Sequence, residues 1–152
     1  MRLRPDEEQR MKSILAPFKS DARVQKMKEY VQHGRISTFD HVESVTRLSF
    51  WINNRFHLGG DENVLTVGAF LHDYYLYDWH NKGEGHRLHG FRHPYFAYKN
   101  AKKDFNITPL MKDIILHHMF PLTIIPPKSK AAFMVSHFDK VATIRDYKKR
   151  KR

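Results

Sequence analysis

VGAFLHDYYLYDWH, residues 67–80, sets an imidazole beside a carboxylate, His72 and Asp73, at the polar end of an apolar helical run. Both are ligands for a divalent transition metal. Adjacent side chains on a helix diverge by about 100°, yet in a last turn a carboxylate swings back toward the ion its neighbour holds. The dipeptide gains weight from its company: His41 upstream, His89 and His93 downstream, the His117-His118 pair, and Asp139 near the end, each on or beside a different helical segment.

Working upstream, Asp61 caps the helix that carries Val64, Gly68 and Leu71 to the dipeptide, after a turn at Gly59-Gly60. Before it, Ser37 or Thr38 caps a helix on which His41, Val45, Leu48 and Ile52 recur at helical spacing. His41 therefore heads an inward-facing stripe, where an imidazole needs a partner. Asp6 to Ala16, stopped by Pro17, and Asp21 to His33, ended by Gly34, read as two earlier helices.

Downstream, Tyr75 to Gly90 is polar, Gly-punctuated and His-rich, a loop long enough to suspect a function. His93-Pro94 opens a helix running to about Lys103, and Thr108-Pro109 opens another. On the second of these Met111, Ile114, Ile115 and His118 share a face, with His117 turned away by about 100°. A loop with Pro121, Pro126 and Pro127 follows, and Ser129 caps the last helix, on which Ala132, Val135, Asp139 and Ala142 form a stripe. An acid in an apolar stripe repeats the oddity of His41. There is no alternating strand pattern and no repeat, so the fold predicted is all-α.

The chain of 152 residues is the size of one domain, able to bury roughly 70% of its unfolded surface. Cysteine is absent, which excludes disulfides, thiolate nucleophiles and Cys-based zinc ribbons. The longest apolar run, Val64 to Leu71, falls far short of the roughly 20 residues of a membrane span, and the N-terminus has no apolar signal segment. The expectation is a soluble cytoplasmic protein. Lys and Arg number 27 against 16 Asp and Glu, a net charge of +11 that favours nucleotides, nucleic acids or phosphoesters as partners. Part of this charge is the solvated terminal run Lys148 to Arg152.

A His on one helix, an apolar run ending in His-Asp, a His-Pro, a His in ILHHMFP and an Asp-Lys in the last helix together resemble the HD-domain metal-dependent phosphohydrolases. The resemblance covers roughly Gly34 to Asp146. It implies a single-domain helical bundle of the HD type over residues 34–146, with an N-terminal helical extension over 1–33 and a basic tail over 147–152. It also implies that His41, His72, Asp73 and Asp139 hold a first metal. His93 and His118 match the extra ligands of two-metal members, with His89 or His117 as substitutes. Tyr75-Leu76 stands where the family often has Gly-Lys, and His117-His118 is followed by Met119 instead of the Glu of the cyclic-dinucleotide-cleaving branch.

The chemistry points to the same residues. Hydrolysis of a phosphoester needs a hydroxide at neutral pH and cancellation of phosphoryl charge, both of which a divalent metal supplies. His and carboxylate ligands without thiolate suit Mn, Fe, Co, Ni or Zn, one ion or two bridged by Asp73. Asp78 is the candidate general base or water-orienting acid, and Lys140 and Arg92 are candidates to hold the substrate phosphate. Tyr74, Tyr75, Tyr77 and Trp79 either stack a nucleobase or pack. His57, His80, His86 and His137 read as surface or supporting residues. The function expected is hydrolysis of a small, nucleotide-like phosphoester; the alternative is a helical module that binds nucleic acid and keeps a structural metal.

Overall fold

Helices carry nearly all regular structure: α1 Pro5–Lys19, α2 Ala22–Gln25, α3 Thr38–Arg55, α4 Glu62–Leu71, α5 His89–Asp104, α6 Pro109–His117 and α7 Lys130–Arg150. A short hairpin, β1 Val31–His33 and β2 Ile36–Ser37, is the one sheet among the described residues. The computed structural model describes residues 2–81 and 87–150, with side chains to Lys148, so His86 and the end of the basic tail lie outside them. The all-α expectation holds. No helix among the described residues is long and apolar enough to cross a membrane.

The architecture follows from α4. Every residue from Leu65 to Leu71 is buried, as an all-round apolar helix must be, and α1, α3, α6 and α7 pack around it. Gly68 permits the close approach of α6, because a Cβ there would stand 2.6 Å from Ile114 Cδ1. Leu3, Met11, Leu15, Val24 and Met27 from the N-terminal segment join Val42, Phe70 and Ile115 in one core. A second core, around Val45, Leu65, Ile114, Val135 and Ala142, lies between α3, α4, α6 and α7. The C-terminal end of α4, and with it His72-Asp73, is thereby fixed at the centre of the molecule.

Caps at Ser37, Asp61 and Thr108 place three helix starts where the sequence puts them, each side chain accepting a backbone N–H of its first turn. Three boundaries differ. α1 runs through Pro17 to Lys19, because a proline in the last turn forfeits one amide bond and Ser20 N–H still closes on the Ala16 carbonyl. Residues 21–33 are not one helix: after α2 and a 3₁₀ turn at Lys26–Lys28 the chain extends into β1. Gly34, at a φ of 63°, supplies a left-handed residue to the hairpin turn instead of ending a helix. α5 begins at His89, one turn before His93-Pro94; Phe91 and Arg92 N–H groups bond to the Leu88 carbonyl, and Pro94 is buried inside the helix.

Candidate metal centre

Five helices contribute to one buried polar cluster. His41 stands in the first turn of α3, His72 is the C-cap of α4 with Asp73 next in the chain, His93 lies on α5, His118 is the C-cap of α6 and Asp139 lies on α7. All six are buried. Asp73 occupies the middle: its Oδ2 is 3.3 Å from His72 Nε2 and 3.9 Å from His41 Nε2. Its other oxygen, Oδ1, is 3.1 Å from His93 Nε2 and 3.3 Å from His118 Nε2. Asp139 Oδ1 is 2.9 Å from His41 Nε2 and 3.7 Å from His72 Nε2. The donor atoms of His41, His72 and Asp139 fall within 4.8 Å of one another, as do those of His72, Asp73 and His118.

Each ring is oriented from behind. The Nδ1 atoms of His72, His93 and His118 lie 2.7, 2.9 and 2.8 Å from the carbonyl oxygens of Ala69, His89 and Ile115, one turn earlier in their own helices. A carbonyl only accepts, so each Nδ1 carries a proton and Nε2 is the atom left to present a lone pair to a cation. His41 takes its support from Asp146, whose Oδ2 is 3.1 Å from Nδ1. The Gln32 side-chain amide donates to Asp73 Oδ2 at 2.7 Å, while its carbonyl oxygen accepts from the hydroxyls of Tyr75 and Thr38.

These donors fit a cation. With protons on both Nδ1 atoms, His93 Nε2 and His118 Nε2 aim lone pairs at each other across 2.8 Å. His72 Nε2 and Asp73 Oδ1 are buried with no hydrogen-bond partner. Leaving a buried polar atom unpaired costs about 1–3 kcal/mol. A positive centre among the lone pairs removes these penalties together, and a nitrogen and oxygen set without thiolate is that of a divalent transition metal.

Electrostatics agree. Burial works against ionisation of Asp73 and Asp139, but the imidazoles around them outweigh it and hold both carboxyls far below the usual range. Burial likewise pushes the His41 ring down, and the carboxylates of Asp139 and Asp146 overcome it, lifting it to about 9. His118, where burial dominates, is pushed down. The cluster is a site that wants positive charge.

Several sequence candidates stand elsewhere. His117 pairs with Asp113 at 2.6 Å, on the other side of α6. Asp78 is half-buried in the loop after α4, where it caps the His80 N–H, and Arg92 is exposed with its guanidinium over the Phe96 ring. His89 lies beside the cluster, its ring stacked on His93 with centroids 4.5 Å apart and its Nδ1 2.9 Å from the Tyr77 hydroxyl. Tyr74, Tyr75 and Tyr77 are packed in the core, whereas Trp79 is half-buried. His57, His80 and His137 are at the surface. Lys140 Nζ donates to the Ser136 carbonyl at 2.8 Å, the Ser136 hydroxyl at 3.0 Å and the His118 carbonyl at 3.1 Å, and burial pushes its pKa down.

Gln32 and Asp146 are site residues that sequence reasoning missed. Asp146 had a signal, since it follows Asp139 and Ala142 on the same stripe of α7. Gln32 had none, because a helix over Asp21 to His33 gives its side chain a different direction. A cavity of about 820 Å³ opens on the cluster, bordered by Asp73, His93, Asp139 and Lys140 and otherwise mainly by apolar side chains.

The sequence model of the HD domain matches residues 38–144. No curated protein and no solved structure matches the chain.

Proposed function

The chain belongs to the HD-domain family, and from that premise we propose that it hydrolyses a phosphomonoester or phosphodiester of a small substrate. The observation that carries this reading is the convergence of unpaired polar atoms, His72 Nε2 and Asp73 Oδ1 among them, in a cluster whose Asp73, His93 and Asp139 border a cavity large enough for a small organic phosphate. A divalent metal, when bound, lowers the pKa of water and withdraws charge from phosphoryl oxygens. His41, His72, Asp73 and Asp139 are the residues to hold one ion, and Asp73, His93 and His118 those to hold a second.

The chain's own groups do the rest. Asp146 and three backbone carbonyls lock the rings in the tautomer that offers Nε2, and Gln32 keeps Asp73 turned so that its two oxygens serve the two halves of the cluster. The ammonium of Lys140 spends its protons on Ser136 and His118, so it acts on an incoming phosphate as a fixed positive charge at the cavity edge. The apolar border keeps bulk water from the charged floor, which strengthens every attraction there.

The test is hydrolysis of a panel of aryl phosphates, nucleotides and other organic phosphates by protein purified without a metal-binding tag and supplied with Mn. Turnover that disappears in Asp73→Ala is the expected result. Metal-loaded protein that cleaves no member of the panel, and binds an oligonucleotide in a salt-sensitive manner untouched by Asp73→Ala, favours a nucleic-acid module instead.

A further inference from the structure

The cavity beside the metal-binding cluster has a mixed lining. Asp73, His93, Asp139 and Lys140 border it together with Leu88, Met119, Leu122 and Ile144. Leu88, Leu122 and Ile144 are 69, 46 and 56% exposed, and Ile124 and Ile125, next along the loop from Leu122, are 89 and 56% exposed. Exposed apolar side chains gathered at the mouth of one cavity mark a surface that takes an apolar ligand.

Two details shape this mouth. Leu88 holds a left-handed φ of 61°, a conformation that costs a side-chain-bearing residue roughly 1–2 kcal/mol, and burial of its side chain returns little of that. Gly90 lies so close under Leu122 that a Cβ there would stand 3.2 Å from Leu122 Cδ2, which brings the start of α5 and the loop after α6 together at the mouth.

The polar groups of the lining are largely committed. Gln32 is bonded at both ends of its amide, Lys140 has three acceptors and His93 Nδ1 is taken by the His89 carbonyl. Among the described lining residues outside the metal-binding cluster, the buried side-chain atoms without a partner are His33 Nδ1 and Trp79 Nε1. A sugar brings several hydroxyls, each of which loses its water on entry and needs a partner.

We propose that the substrate is a phosphate ester of an apolar alcohol: its phosphate lies at the metal-binding edge beside Lys140 and its alkyl or aryl group lies against Leu88, Met119, Leu122 and Ile144. This departs from the nucleotide expected from charge alone and rests on the phosphohydrolase reading of the site. In the reaction the oxygen of water bonds to phosphorus, the phosphorus–oxygen bond to the alcohol breaks, and the departing alkoxide takes up a proton from that water. Alkyl phosphate and water give alcohol and hydrogen phosphate, with no change of oxidation state.

The experiment is a chain-length series. For Mn-loaded protein, kcat/KM is measured on n-alkyl phosphates from ethyl to octyl and on nucleoside monophosphates, and binding of the matching alkylphosphonates is measured by calorimetry. Each added methylene that is buried is expected to raise both kcat/KM and affinity about fourfold, and Leu122→Asn to flatten that rise. A flat series, or nucleoside monophosphates preferred over octyl phosphate, overturns the proposal while leaving phosphoester hydrolysis intact. No turnover of any phosphate, with phosphonate affinity still climbing along the series, removes the hydrolase reading and keeps the apolar site. No phosphonate binding at any length removes the apolar site.

Discussion

His93 and His118, on α5 and α6, face each other Nε2 to Nε2 at 2.8 Å while each ring's Nδ1 is held by a backbone carbonyl of its own helix. With both Nδ1 atoms committed, a positive charge between the two Nε2 atoms, a proton or a metal ion, is what reconciles them.

Metal therefore adds stability. Protein saturated to about 1,000 times the dissociation constant gains about 4 kcal/mol, a rise in melting temperature of roughly 8–16 °C for a chain of this size. Calorimetric scans before and after chelation, with metal content determined by mass spectrometry, check this. Superimposable scans from metal-loaded and stripped protein count against the cluster as a metal centre.

Gln32 acts on the metal through Asp73. Gln32→Leu keeps the volume and removes the amide that holds Asp73 Oδ2, so metal affinity is expected to fall by about 10–100-fold. Asp146→Asn, which retains an acceptor for His41 Nδ1 but not its charge, is expected to lose less. Competition with a chelating dye gives both values; wild-type affinity in Gln32→Leu shows that Asp73 needs no such support.

Gly68 couples packing to the site. A methyl group at this position meets Ile114 Cδ1 at 2.6 Å and its Cβ at 3.2 Å, so Gly68→Ala drives apart the helices that end in His72 and His118. The expected cost is about 1–3 kcal/mol of stability, seen in urea unfolding, together with weaker metal binding. Unchanged unfolding midpoints mean that α4 and α6 have slack the packing does not suggest.

Asp113 ties α6 to the start of α7. Its carboxylate accepts from Lys128 N–H and Ser129 N–H and faces His117 Nδ1. Burial alone raises its pKa; these donors outweigh it and hold the carboxyl below the usual range. A lowered native pKa stabilises above the unfolded value of about 3.9 and loses that contribution as pH falls through the native value. Asp113→Ala is expected to cost about 1–3 kcal/mol at pH 7, and its deficit against wild type to shrink below about pH 4. Thermal melts across that range report it, and a deficit independent of pH argues for lost packing instead of lost charge.

The donor set was legible because it interrupts helical stripes. His41, His118 and Asp139 each occupy an apolar position where a polar group needs a reason, and the structure brings them together with His72, Asp73 and His93. Helix starts with a capping side chain were legible too, since one local hydrogen bond fixes them. Boundaries that depend on tertiary contacts were not. Pro17 reads locally as a helix stop and Pro94 as a helix start, and packing overrides both, while the hairpin at Val31 to Ser37 depends on a handful of backbone bonds and on Gln32 reaching a carboxylate far along the chain. For the same reason the positions of Asp78, Arg92 and His117 could not be read from spacing alone: each satisfies a nearby partner instead.

Gln32 precedes Thr38 and Asp146 follows Ile144, so both braces of the cluster fall just beyond residues 38–144, the span that matches the HD-domain model. A fragment trimmed to those limits would keep every ligand and lose the two side chains that aim them. The smallest piece worth expressing therefore reaches back past the hairpin and forward through another turn of the final helix.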